Sequence, residues 1–145
     1  MTKNNLYEEA LCEVKRENAD IDKVIRLLKE SLKQGNIKSA YALGTWYLHG
    51  EHVEKNLEKG VELLEIAAEQ MMPNALYDLA VCYEEGAGVI KNEKLAFENY
   101  LYAALYGDEQ AVYEVGRCYF HGIGTEKNID TANIWYDKAE DLGVD

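Results

Sequence analysis

The feature that most constrains this chain is a pattern of punctuation that recurs every 36 residues without a gap. Gly44, Tyr47, Gly50, Asn56, Gly60 and Ala67 are followed by Ala80, Tyr83, Gly86, Asn92, Ala96 and Ala103, and then by Gly116, Tyr119, Gly122, Asn128, Ala132 and Ala139. A period between 20 and 50 residues marks an array of supersecondary units, each unable to bury its apolar face without a neighbour. The 145 residues hold about four such units. The expected organisation is one domain over 1–145, with repeats at 36–71, 72–107 and 108–143 and a degenerate capping repeat at 1–35.

Within each unit the apolar residues keep helical spacing, as in Leu6, Ala10, Leu11 and Val14, then Ile21, Val24, Ile25, Leu28 and Leu32. The period predicts eight helices in antiparallel pairs, at about 3–17, 20–34, 37–50, 56–70, 73–85, 92–106, 109–121 and 128–142. Asp20, Asn56, Asn92 and Asn128 fall at the N-cap of each second helix, where a side-chain oxygen accepts from a free amide. Pro73, the single proline, sits where a first-turn proline loses no hydrogen bond. Gly35, Gly107 and Gly143 close their units, but Met71 takes that place in the second repeat, and His52 stands where the other loops have Gly88 and Gly124. Those two departures put the local geometry of the second repeat in question.

Composition removes several function classes. The chain carries 27 acidic and 15 basic residues, a net charge of −12, and no basic run that would track phosphates. Nucleic acid and anionic membrane are therefore poor partners. No apolar stretch approaches the roughly 20 residues of a membrane span, and Met1 to Glu9 is polar, so a cytoplasmic protein is expected. Cys12, Cys82 and Cys118 are an odd set without close pairs, which points to free thiols rather than disulfides or a metal centre. The Gly-x-Gly loops follow no strand and lack the P-loop Lys-Ser/Thr, so they read as turns between helices. His49, His52 and His121 do not converge on metal-ligand spacing, and no nucleophile motif is present. The expectation is a chain with no metal, no cofactor and no enzymatic activity.

The pattern Ala-x-x-x-Leu/Val-Gly/Ala-x-x-Tyr-x-x-Gly-x-Gly, then Asn, then Ala-x-x-x-Tyr-x-x-Ala, closing on Gly, resembles the SEL-like repeat (SLR) family, relatives of the tetratricopeptide repeats. It covers 36–143 well and 1–35 loosely. The resemblance implies an all-α, right-handed superhelix of about four helix pairs, with the first helix of each pair on the concave side. It also implies an adaptor or scaffold role toward other proteins.

On the first helices Leu43, Tyr47 and their equivalents take the core side. Tyr41, Tyr77 and Tyr113 then point the other way, with Thr45, Val81 and Arg117 one turn on and Leu48, Glu84 and Phe120 beyond them. Rings, one arginine and a few carboxylates on a concave strip suit capture of an extended or helical peptide. Residues 108–145, with nine acidic and three basic side chains, would favour a basic one, although the same charge also reads simply as a solvated, solubilising face. The competing reading is that the tyrosines pack only against the neighbouring repeat. A second candidate surface is the row Phe97, Leu101 and Leu105, because the repeat places Val61, Glu65 and Glu69, or Asn133, Asp137 and Asp141, at the same positions. If those positions face solvent, the row needs a partner, most simply a homodimer; the competing reading is that the flanking repeats cover this helix more deeply than its equivalents. Glu140 replaces Ala68 and Ala104, which fits an array ending at that helix. A small-molecule hydrolase or ligand binder is the remaining alternative, supported only by the acidic, aromatic strip.

Overall fold

A computed structural model describes residues 5–145, which form eight helices and no strand. They are α1 (Leu6–Val14), α2 (Ile21–Lys33), α3 (Ile37–His49), α4 (Leu57–Glu69), α5 (Pro73–Glu85), α6 (Glu93–Leu105), α7 (Glu109–His121) and α8 (Ile129–Asp141). Each lies within one or two residues of its expected bounds except α1, whose expected residues 3 and 4 are outside the described residues. The physical reason that α1 stops at Val14 is Glu13. Its buried carboxylate accepts from the Arg16 guanidinium at 3.0 Å and from the Asp20 backbone N–H at 3.3 Å, drawing the chain back before another turn can form.

Every expected N-cap is in place. Asp20, Asn56, Asn92 and Asn128 each accept from the amide three residues on, at 3.0–3.1 Å. The capping asparagine also donates its own N–H to the carbonyl of the repeated tyrosine. Asn56 reaches Tyr47 at 2.9 Å, Asn92 reaches Tyr83 at 2.9 Å and Asn128 reaches Tyr119 at 2.8 Å. One residue thus starts the second helix and ties its loop to the end of the first, which is why tyrosine and asparagine keep a constant separation.

The chain divides into two compact units, Met1–Ala67 and Ala68–Asp145. In the first, α1 packs on α2 and α2 on α3 around Ala10, Val24, Leu28 and Leu43, with Tyr7, Trp46 and Leu63 against that core. Helices α3 and α4 cross closely: a Cβ on Gly44 would meet the Gly60 carbonyl at 3.2 Å, and one on Gly60 would overlap Leu48 at 2.8 Å. In the second unit α5–α6 and α7–α8 are the hairpins and α6 packs on α7. Its core is Ala80, Ala96, Tyr100, Val115 and Cys118, flanked by Tyr83, Phe97, Leu101 and Tyr119.

The second repeat keeps its geometry despite its two departures. His52 (φ 59°) and Met71 (φ 57°) are the non-glycine residues with positive φ among the described residues, and both adopt the left-handed conformation of the glycines they replace. Such a conformation costs a residue with a Cβ about 1–2 kcal/mol. His52 recovers part of this by setting its ring edge-on to Trp46, 4.6 Å between centroids.

Candidate partner-binding face

The strip expected from the sequence falls into three sets of residues. On α3, Tyr41, Thr45 and Leu48 follow i, i+4, i+7 spacing and share a face. Tyr41 is half-buried, the Thr45 hydroxyl donates to the Ala42 carbonyl at 2.9 Å, and Leu48 lies over Gly60. Leu48 is therefore occupied with helix packing. On α5 the same spacing sets out Tyr77, Val81 and Glu84, and on α7 Tyr113, Arg117 and Phe120. Val81 packs against the core of the second unit.

The α5 and α7 stripes are joined by an ion network. The Arg117 guanidinium donates through two nitrogens to the two oxygens of Glu84, at 2.9 and 2.6 Å, and through Nε to Glu114 at 2.7 Å. The Tyr100 hydroxyl donates to Glu84 at 2.9 Å, beneath the guanidinium. Arg117 beside Glu84 holds that carboxyl below its usual range, and the Tyr100 hydrogen bond adds to the effect. Burial and the adjacent carboxylate push the Tyr100 phenol up. The side chains of Arg117, Glu84 and Glu114 are 26, 22 and 14% exposed, so the bridge is largely removed from water. Three of the five guanidinium N–H groups are spent inside the chain, which makes Arg117 and Glu84 a clamp between two repeats.

Aromatic rings flank that clamp. Tyr77 meets Tyr100 edge-on at 5.6 Å, and burial raises its phenol to about 12. One repeat later the corresponding pair, Tyr113 and Tyr136, lies at 5.3 Å, with Phe120 a further 6.2 Å from Tyr136. Phe120 also contacts His121 at 4.9 Å and remains 38% exposed. Tyr136 rests on Gly116, where a Cβ would come within 2.8 Å of its ring. Tyr100, Glu114 and Tyr136 belong to this face and were missed. The available signals were the i, i+3 spacing of Glu114 and Arg117 and the repeated tyrosine of the second helix.

The second candidate surface does not form as a row. Phe97 and Leu101 pack against the core, Phe97 edge-on to Tyr119 at 5.3 Å, and Leu105 alone is exposed. Polarity at the equivalent positions does not mark a solvent face here; burial by the flanking repeat accounts for Phe97 and Leu101. In α6 this row turns toward α7, whereas Asn133 and Asp137 on α8 are exposed. Leu105 instead groups with Tyr102 and Tyr106, which are 45 and 56% exposed. Glu140 is exposed.

Among the described residues no group of three or more His, Cys, Asp or Glu is placed to hold a metal, and no helix is long and apolar enough to cross a membrane. The three cysteines are free. Burial raises Cys82 to about 11 and Cys118 to about 12, so neither is a ready nucleophile.

The Sel1 repeat model matches residues 37–70, 73–108 and 109–144, nearly the register expected from the 36-residue step. The chain belongs to the Sel1 repeat family. A protective antigen of uropathogenic Escherichia coli with an SLR fold is 27% identical, with a TM-score of 0.89 over 95% of this chain. This chain spans 30% of the length of that antigen. A Sel1 repeat protein from Oxalobacter formigenes is 37% identical at a TM-score of 0.72, covering 80% of this chain and 87% of that one. Cysteine-rich protein B of Helicobacter pylori is 25% identical at 0.64, over 70 and 77%. Comparison with curated proteins finds no match. Sel1 repeat proteins are generally protein-interaction scaffolds.

Proposed function

We propose that this Sel1 repeat chain is an adaptor that seats a peptide or protein segment on the adjoining stripes of α5 and α7. The observation that carries the reading is the aromatic group Tyr113, Tyr136 and Phe120, whose rings contact one another while Phe120 stays exposed and the two tyrosines are half-buried. Pre-ordered aromatic rings lose little entropy on binding and supply most of the energy at protein interfaces. Residues 68–145 carry 15 acidic and 5 basic side chains, which favours a basic partner. Residues 1–35 act in this reading as a degenerate capping repeat within a single functional domain, and free thiols suit the reducing cytoplasm. The hydrolase alternative loses ground because Glu84 and Glu114, the carboxylates of this face, are already paired with Arg117.

The test is affinity capture with mass spectrometry, using the wild-type chain and Phe120→Ala side by side. The reading expects proteins that the wild type retains and the variant loses, with thermal unfolding unchanged. Identical protein sets from both baits would refute this face as the binding surface.

A further inference from the structure

Helix α2 presents a surface unlike the rest of this acidic chain. Lys23, Arg26, Lys29 and Lys33 line an open cleft of about 510 Å³ with Leu6 and Leu27, and Glu30 is the single carboxylate in the lining. Arg26, Lys29 and Lys33 are exposed and Lys23 is half-buried. Among the described residues none of the four cations forms a salt bridge; Lys23 contributes only at a distance to keeping Glu13 ionised. The four lie three or four residues apart, so the helix sets them along one side within about 15 Å. Unpaired cations around an apolar floor select a ligand that brings both negative charge and hydrocarbon.

We infer that the α2 cleft is a second docking site, for an acidic peptide segment carrying one or two leucine-sized side chains. The volume admits side chains rather than a folded surface. Leu6 and Leu27 offer apolar contact that a bare polyanion would leave unused. Nucleic acid fits less well, because no aromatic ring lines the cleft to stack on a base and the chain as a whole carries −12. The site is distinct from the α5 and α7 face and prefers a ligand of opposite charge to the one favoured there.

The experiment is fluorescence anisotropy on the full chain with a labelled ten-residue peptide of glutamates interrupted by two leucines. Controls are the same peptide with serine for leucine, a lysine-for-glutamate version, a short DNA duplex and vesicles containing phosphatidylserine. Binding is expected for the Glu/Leu peptide, weaker by tenfold or more in Lys23→Glu/Arg26→Glu and again in Lys29→Glu/Lys33→Glu. It should also weaken as salt rises from about 50 to 300 mM, as the Debye length shortens. Circular dichroism melting of both variants should match the wild type, and if one fails to fold the other decides. No binding to the Glu/Leu peptide, equal binding by the folded variants, preference for the duplex or vesicles, or self-association of the chain through this cleft would each overturn the assignment.

Discussion

The loop between the two helices of a repeat appears in both units on similar backbone, with different residues at the same place. In the first unit it holds His52, whose ring meets Trp46 edge-on; in the second it holds Gly124, where a Cβ would fall on the Glu93 carbonyl and crowd Phe97. The left-handed conformation thus accompanies one shared loop closure, in which the Asn N–H donates to the Tyr carbonyl, and the residue decides what that conformation costs. Charge divides the units as well. Residues 1–67 carry 12 acidic and 10 basic side chains, nearly neutral beside the second unit. Within a repeat, α3 and α4 cross at Gly44 and Gly60, whereas the two repeats of the second unit are joined across α5 and α7 by the Arg117–Glu84 pair beside Tyr77 and Tyr100.

The largest expected effect comes from adding a methyl group to the second-unit loop. Gly124→Ala combines a positive φ with overlap against backbone and should cost about 3 kcal/mol, measured by denaturant unfolding. A loss under about 1 kcal/mol would show that this loop relaxes as readily as the one at His52.

Next in size is the clamp. Arg117→Ala removes three charge-assisted hydrogen bonds and leaves Glu84 and Glu114 half-buried without their cation, a loss of about 2 kcal/mol. Because the folded-state pKa of Glu84 is depressed from 4.5, its stabilisation is present above that value and is lost as pH falls through the lower, folded pKa. Wild-type stability should therefore fall more steeply below about pH 4.5 than that of Glu84→Gln, as followed by urea midpoints against pH. Parallel curves would remove Glu84 from the acid sensitivity.

Met71→Gly should stabilise by about 0.5–1 kcal/mol, whereas His52→Gly should be near neutral because relief of strain is offset by the lost Trp46 contact. The Ser39 hydroxyl is buried and finds no hydrogen-bond partner among the described residues, and the repeat places Ala75 and Ala111 at its position. Ser39→Ala should add about 1 kcal/mol, seen as a raised melting temperature.

The fold was legible because a 36-residue step, helical spacing and capping asparagines all pointed to one architecture, and each rests on local backbone chemistry. The face was only half legible. Tyr77, Val81, Glu84, Tyr113, Arg117 and Phe120 were placed on the correct helices, but their partners Tyr100 and Tyr136 come from second helices brought near by packing. The row of Phe97, Leu101 and Leu105 misled for the same reason. Equivalent positions in an array share a direction yet differ in what lies beyond them, and only the neighbouring repeat determines whether that is protein or water. Tyr77 also proves partly structural, so its truncation should lower stability together with binding, and Phe120 becomes the cleaner probe.

If the open ring of Phe120 serves binding while the Arg117 clamp serves the fold, Phe120→Ala should weaken affinity for a partner recovered by capture by about 1–3 kcal/mol. The denaturant midpoint should then report a stability change below about 1 kcal/mol. Unchanged affinity, or a loss of stability as large as the loss of binding, would contradict that division of roles.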